Sequence, residues 1–218
     1  MSQLVYSSSC AVYGDAARSP IGEDQPIAPM NPYAQSKWLA EQAIAAAETG
    51  GLRHVTLRYF NAAGADDDGA AGEDLLRGQN LLPMAIKVAL GMSQHLVVNG
   101  ADFPTTDGTA VRDYVHVLDL AEAHVRALRH LADAGASLVL NLGTGSGTSV
   151  LEVVAAVEQA SGRPVPVVAG APKRGDPAAV WADPTLAERC LGWSAQRNIG
   201  EIAASAWRWH ARNAAEWS

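Results

Sequence analysis

An α/β fold is what this sequence predicts, and three observations predict it. Apolar, β-branched stretches of strand length alternate with longer helical stretches through the whole chain. The links between them are mostly short. Two helix starts are written out in full, at Asn31-Pro32 and at Ser149 with Glu152 three residues on.

The first strand is expected at residues 4–6, after which polar residues turn the chain into a Pro- and Gly-containing loop that runs to Pro29. Asn31 can cap the next helix. Pro32 suits its first position because the fixed φ of proline is already helical, and alanine-rich sequence carries the helix to Glu48. Gly50 and Gly51 stop it. Residues 55–60, Val-Thr-Leu-Arg-Tyr-Phe, are β-branched and aromatic and form the second strand. The acidic run 66–74 reads as a flexible, solvated surface loop. A helix is expected over 81–90 and a strand over 95–100. Asp119 opens a further helix, with Glu122 at capping-box spacing. Residues 138–143 form a strand, Ser149 and Glu152 open the helix of 150–160, and 165–170 form another strand. Asp183-Pro184 starts a short helix, and the last helix runs near 199–212 with Trp207 and Trp209.

The 218 residues suffice for one large domain or two interleaved smaller ones with a real core. A net charge of −7 argues against a broad nucleic-acid face, so an anionic ligand has to be met by a few placed Arg or Lys side chains. Cys10 and Cys190, far apart and outside any Cys-x-x-Cys pattern, point to reduced thiols. No apolar run reaches the length of a membrane span, and the first ten residues lack the basic and long apolar parts of a signal peptide. A cytoplasmic location with no membrane partner is the expectation. The histidines form no metal-binding spacing, and no Gly-x-Ser-x-Gly elbow is present, so metal and serine hydrolysis rank low.

Gly-Thr-Gly-Ser-Gly at 143–147 follows a strand and precedes a helix, as a dinucleotide-binding loop does. Its spacing differs from Gly-x-Gly-x-x-Gly, because position 148 is Thr. No acidic residue ends a strand some 20 residues further on. The run reads as a plain strand-to-helix turn, and the chain has no other candidate.

Tyr33 and Lys37 lie one helical turn apart and therefore share a face. A free phenol, with a pKa near ~10, is a poor base at neutral pH. A neighbouring ammonium favours the phenolate and makes it a base for a sugar or alcohol hydroxyl. Taken alone, the pair reads first as an amphipathic helix with a half-buried tyrosine and a snorkelling lysine. Upstream, Ser-Ser-Ser-Cys-Ala-Val-Tyr-Gly at 7–14 is a strand end passing into a loop of small residues, where α/β proteins place ligand chemistry. Ser9 there could bridge a substrate hydroxyl and Tyr33, or satisfy its own turn.

Ser9 with Tyr33-x-x-x-Lys37 resembles the Ser/Tyr/Lys triad of the extended short-chain dehydrogenase/reductases. Longer runs narrow the resemblance to the UDP-glucose 4-epimerase (UDP-galactose 4-epimerase) family. These are SSSCAVYG, NPYAQSK, LRYFNAAGA, GEDLLRGQNLLPMAIKVALG, DFPTTDGTAVRDYVHVLDLAEAH and NLGTGSGTSV, of which DGTAVRDYVHV is the most specific. The resemblance covers nearly the whole chain. It implies the C-terminal part of an NAD(P)-binding Rossmann-type parallel sheet, interleaved with a smaller α/β substrate-binding domain. Residues 1–79 would belong to the former. Residues 80–218 would mainly bind UDP-sugar, with segments around 110–150 returning to the sheet. It also implies a mechanism. Tyr33 takes the proton of the sugar's 4-hydroxyl while C4 gives a hydride to bound NAD, and the 4-keto sugar turns before the hydride returns to its other face. Lys37 would hold the nicotinamide ribose, Ser9 would position the proton, and Phe60 would line the nicotinamide site. Asn61 would meet the diphosphate region. Asn80, Leu81, Val97, Val98 and Asn99 would hold the uridine. Arg112 would pair with the diphosphate through its guanidinium fork, or else with Asp113. The family dimerises through helices that include the one carrying Tyr33 and Lys37, which implies a homodimer where the N-terminal part, with another helix of that bundle, is present.

The sequence departs from the family in four ways. It begins at what would be the family's fifth strand, without the Gly-rich loop, so 1–218 alone is expected to bind NAD weakly or not at all. Asn99 stands where the family has a uridine-contacting aromatic. In Pro-Lys-Arg-Gly-Asp at 172–176, Lys173 falls on the family's UDP-binding arginine with Arg174 beside it, ahead of Asp176. Val180 stands where a bulky tyrosine or a smaller residue flanks the sugar's 2-substituent, and its size leaves room for an N-acetyl group. A 4,6-dehydratase is disfavoured, because Cys10 and Ala11 occupy the places of its acid/base pair. Other nucleotide-sugar 4-epimerases, or an inactive remnant that at most binds UDP, are the alternative readings.

Overall fold

The computed structural model describes residues 2–15, 19–172 and 177–214. Its central element is an all-parallel sheet in the order β1-β2-β7, formed by β1 (Gln3–Ser9), β2 (Arg53–Tyr59) and β7 (Leu138–Leu142). Helix α1 (Pro32–Ala46) connects β1 to β2, and α3 (Val117–Ala132) precedes β7.

Strand pleating decides what each face carries, because alternate side chains point to opposite sides. Val5, Val55, Leu57, Leu140 and Leu142 form one core with Leu120, Ala123, Ala127 and Leu131 of α3, closed by Trp193. Tyr6, Ser8 and Arg58, one residue out of phase, face α1 instead. Helices thus cover opposite faces of the sheet.

A second core joins α2 (Leu81–Ala89), β4 (Leu96–Asn99), α4 (Val150–Ser161) and α6 (Ile199–Arg212), with β4 paired in parallel to β9 (Val167–Gly170). Its helices are capped as the sequence indicates. Ser149 and Glu152 form a complete capping box on α4, and Asn198 with Glu201 forms another on α6. Two small pairings stitch the cores together. β3 (Asn61–Ala63) pairs with β6 (Tyr114–His116), and β5 (Val111–Arg112) lies between β8 (Thr148–Ser149) and β10 (Ala179–Val180). A short helix, α5 (Thr185–Leu191), packs against β7 and α3.

The α/β class holds, and three local expectations are corrected. The first strand runs to Ser9 rather than stopping at Tyr6, because the serines are held by parallel pairing to β2. Asp119 does not open α3: His116 does, its Nδ1 accepting from Leu118 N–H. Asp119 is instead buried in the first turn, where it receives Arg197 Nη1 at 2.6 Å and the backbone N–H groups of Gln196 and Arg197. The acidic loop is not simply solvated. Asp67 pairs with Arg197 and Arg208, and Trp209 Nε1 donates to Glu73 O at 3.0 Å. No helix among the described residues is long and apolar enough to cross a membrane.

Candidate active site

The site forms where β1 ends. Three consecutive serines there take three different roles. Ser7 faces α3, where Ser7 Oγ meets His124 Nε2 at 3.0 Å. His124 Nδ1 lies 2.8 Å from Leu120 O and must be the protonated nitrogen, so Ser7 is the donor to Nε2. Ser8 faces α1 and donates to the buried carboxylate of Glu41. Ser9 ends the strand and caps the 3₁₀ turn Cys10–Tyr13, its Oγ accepting from Ala11 N–H at 3.2 Å. The same side chain lies on the lining of a cavity. Gly14 closes this turn at φ +63°, and a Cβ there would lie 2.0 Å from Ala28 O.

Tyr33 enters on the first turn of α1, whose start is set by Asn31 Oδ1 accepting from Ala34 N–H. Lys37 follows one turn later. Its ammonium donates to Ser7 O at 2.9 Å and lies 5.6 Å from the Tyr33 ring and 5.4 Å from the Tyr6 ring. The lysine is therefore fixed at the end of β1 between two aromatic rings, with the Tyr33 phenol exposed beside it.

A cavity of about 330 Å³ gathers Ser9, Tyr33, Phe60, Asn61, Asn80 and Leu81 on one lining, together with Tyr59, Glu73 and Tyr114. A second, of about 350 Å³, is lined by Val97, Val98, Asn99 and Arg112 and shares Leu81 and Tyr114 with the first. Two neighbouring compartments thus meet at Leu81 and Tyr114. One holds the proton-transfer groups, and the other is mainly apolar with an arginine at its side. Asp113 is not the partner that the sequence allowed for Arg112. Its carboxylate accepts from Thr144 N–H, Thr144 Oγ1 and Ala182 N–H. Val180 is paired with Arg112 in register and packs on the cluster of Val12, Tyr13 and Phe60. Lys173, Arg174 and Asp176 lie outside the described residues.

Residues 143–147 form a strand-to-helix turn as expected. The Thr144 and Ser146 N–H groups, which a phosphate loop would offer to its ligand, are spent on Asp113 and on Thr144 Oγ1. Beside Ser9, burial pushes the Cys10 thiol up to about 12, with Asp113 adding to the effect, so it stays a neutral wall.

Sequence reasoning missed the groups beneath the site. Arg58 donates from Nε and Nη2 to Glu41 and from Nη1 to Tyr13 OH at 2.9 Å, and Tyr13 OH donates to Asn141 Oδ1 at 2.8 Å. Two signals were present. Glu41 continues the four-residue spacing of Tyr33 and Lys37, and Arg58 interrupts an apolar strand.

Fold and site define an α/β protein with a phenol, an ammonium and a hydroxyl gathered at the C-terminal edge of a parallel sheet, beside a compartment for a bulky ligand. The chain belongs to the NAD dependent epimerase/dehydratase family, whose model matches residues 1–143. It is 47% identical over 211 residues to the UDP-glucose 4-epimerase of Rhizobium leguminosarum bv. trifolii, which spans 96% of this chain and 64% of that protein. It is 46% identical over 215 residues to the Bacillus subtilis (strain 168) UDP-glucose 4-epimerase, across 97% of this chain and 63% of that one. Among solved structures, the Stenotrophomonas maltophila UDP-glucose 4-epimerase with bound NAD and formylated UDP-arabinopyranose aligns with a TM-score of 0.95. It is 41% identical and covers 100% of this chain and 66% of its own. The Bifidobacterium longum enzyme in complex with NAD⁺ and UDP aligns at 0.89, also 41% identical, covering 98% and 64%. The chain therefore spans just under two thirds of the length of these relatives.

Proposed function

We propose that this chain carries the proton-transfer and UDP-sugar-binding part of a UDP-glucose 4-epimerase, interconverting UDP-glucose and UDP-galactose in galactose metabolism. One observation carries the reading. Ser9, Tyr33, Phe60, Asn61, Asn80 and Leu81 line a single cavity, with the Lys37 ammonium 5.6 Å from the Tyr33 ring.

Tyr33 is the base for the sugar's 4-hydroxyl. Lys37, held by Ser7 O, supplies a fixed positive charge that favours the phenolate. Ser9 donates into the same space and keeps the 4-oxygen within reach of the phenol. Asn61 and Asn80 offer amides on the first cavity, and Arg112 lies along the second, where a diphosphate and uridine fit. Lys173, Arg174 and Asp176 belong to the same reading as UDP contacts.

The residues present fit part of a nicotinamide cofactor. A lysine at the open end of β1, the Tyr33 phenol and the Phe60 ring suit a ribose and a flat ring. NAD supplies the acceptor that takes the hydride from C4 and gives it back. Among the described residues, the strand β1 pairs with β2 alone. The Gly-rich strand-to-helix turn at 143–147 has its Thr144 and Ser146 N–H groups committed elsewhere. We accordingly place the dinucleotide's phosphates on groups other than those described.

A sheet domain of residues 1–79, rejoined by segments around 110–150, and a mainly UDP-sugar-binding domain of 80–218 are part of this proposal; the existence of two separate cores supports two domains, and the sheet's core also takes in Ala187 and Trp193. The proposal also includes a homodimer through α1, whose outer surface is largely exposed, and a cytoplasmic location. Val180 is proposed to admit N-acetylated UDP-sugars alongside UDP-glucose. Val180→Tyr should then abolish turnover of the N-acetyl substrates selectively, and equal loss with both would refute the gate.

The direct test is epimerisation of UDP-galactose by the purified chain at NAD⁺ concentrations high enough to offset its weak cofactor binding, compared with its Tyr33→Phe variant. Turnover that falls at least ~100-fold in the variant supports the reading. Turnover that is unchanged overturns it.

A further inference from the structure

Helix α1 carries two of the three proposed catalytic groups, yet it is weakly held by apolar contacts. Of its 15 residues only Ala34 and Glu41 are buried. Glu41 lies two turns beyond Tyr33 and one beyond Lys37, so all three sit on one face. The Glu41 and Arg58 side chains are each only 5% exposed. The Glu41 carboxylate accepts from Ser8 Oγ, from Arg58 Nη2 and, at 3.0 and 3.2 Å, from Arg58 Nε.

The network continues to both flanks of Ser9. Ser8 precedes it in the strand. Tyr13, bonded to Arg58, is the last residue of the turn that Ser9 caps. Tyr13 OH then reaches Asn141 on β7, whose Nδ2 donates to Ile21 O at 2.9 Å. Each hydroxyl has one donor role and one fixed direction, so the network admits one arrangement of α1, β1 and the Ser9 turn. A buried ion pair is a poor source of net stability compared with apolar side chains of similar size. Its cost is better explained by the geometry it imposes.

We propose that Glu41, acting through Ser8 and Arg58, is a positioning residue. It sets the roll of α1 about its axis so that Tyr33 and Lys37 face the Ser9 hydroxyl. The role rests on the epimerase reading for its purpose, but not for its measurement.

The test replaces the three polar partners together, as Ser8→Ala/Glu41→Leu/Arg58→Met, in the full chain. No buried charge is then left unpaired. 3-Fluorotyrosine labelling with ¹⁹F NMR follows Tyr33, its signal assigned by Tyr33→Phe. Thermal unfolding is recorded alongside. The expected result is a midpoint within a few degrees of the parent, together with a Tyr33 signal that splits or broadens. Where the parent turns over UDP-galactose, kcat should fall roughly 100-fold at nearly constant KM, the loss expected from a misplacement of about 1 Å. A folded variant with an unchanged Tyr33 signal overturns the proposal. So does a variant that fails to fold, because the network would then be a stability element. A parent without turnover whose variant still shows the altered Tyr33 signal upholds the positioning role while the epimerase reading fails.

Discussion

Ser7, Ser8 and Ser9 are chemically identical and structurally distinct. Pleating sends Ser7 to α3 and Ser8 to α1, and Ser9, in the last ladder pair with Tyr59, is the one of the three that lines the cavity. The sequence marked Ser9 by resemblance, but it could not assign the other two, whose partners His124 and Glu41 lie 117 and 33 residues away. Ser8→Ala removes one donor from a buried carboxylate. It should destabilise the chain by about 1.5–3 kcal/mol, measured by urea unfolding at pH 7. Gly143 illustrates the opposite constraint. A Cβ at this position would lie 2.3 Å from Asp113 Oδ2 and 2.4 Å from Ala182 Cβ, all within packed structure. Gly143→Ala should therefore cost about 1–3 kcal/mol through overpacking, even though alanine suits the backbone. A melting temperature unchanged from the parent would show that the turn can move aside.

At the scale of elements, the starts of α1 and α4 were legible because capping is local chemistry within four residues. The start of α3 was not. His116 caps it, and the Asp119–Glu122 spacing is a coincidence, because Asp119 bonds to residues 77 and 78 positions away. Helix α6 holds a further device that the sequence hides. His210 is 2% exposed, and its Nδ1 has no hydrogen-bond partner. Burial, with the Lys87 charge adding to it, holds its pKa down at about 4, against 6.5 in a free side chain. The unfolded chain therefore takes up this proton first. The folded state should lose stability as pH falls from about 6.5 to about 4 and lose no more from this group below that. The loss amounts to roughly 3 kcal/mol. His210→Phe should flatten the pH dependence across that window, as read by urea unfolding at pH 7, 5.5 and 4. A parental slope in the variant would assign the effect to other groups.

For the molecule as a whole, periodicity revealed the α/β class, but the pairing of β1, β2 and β7 and the two-core arrangement come from contacts between distant segments that no local pattern encodes. The same distribution of contacts separates the two ligands of the proposed reaction. Seven of the residues assigned to the UDP-sugar line the two joined cavities: Asn61, Asn80, Leu81, Val97, Val98, Asn99 and Arg112. The cofactor is offered a lysine, a phenol, a serine and one aromatic ring at the open end of β1. Affinity for a dinucleotide depends on N–H groups that cradle its pyrophosphate, and in the Gly-rich turn at 143–147 the Thr144 and Ser146 donors are engaged within the fold. Equilibrium dialysis of the chain should therefore retain UDP at concentrations where NAD⁺ passes through freely, with at least about a tenfold difference in apparent Kd, or about 1.4 kcal/mol. Arg112→Ala should erase the UDP signal and leave the weak NAD⁺ signal unchanged, because that guanidinium lines the second cavity. Stoichiometric NAD in the purified chain, or equal retention of the two ligands, would mean that the dinucleotide finds its phosphate contacts within residues 1–218 after all.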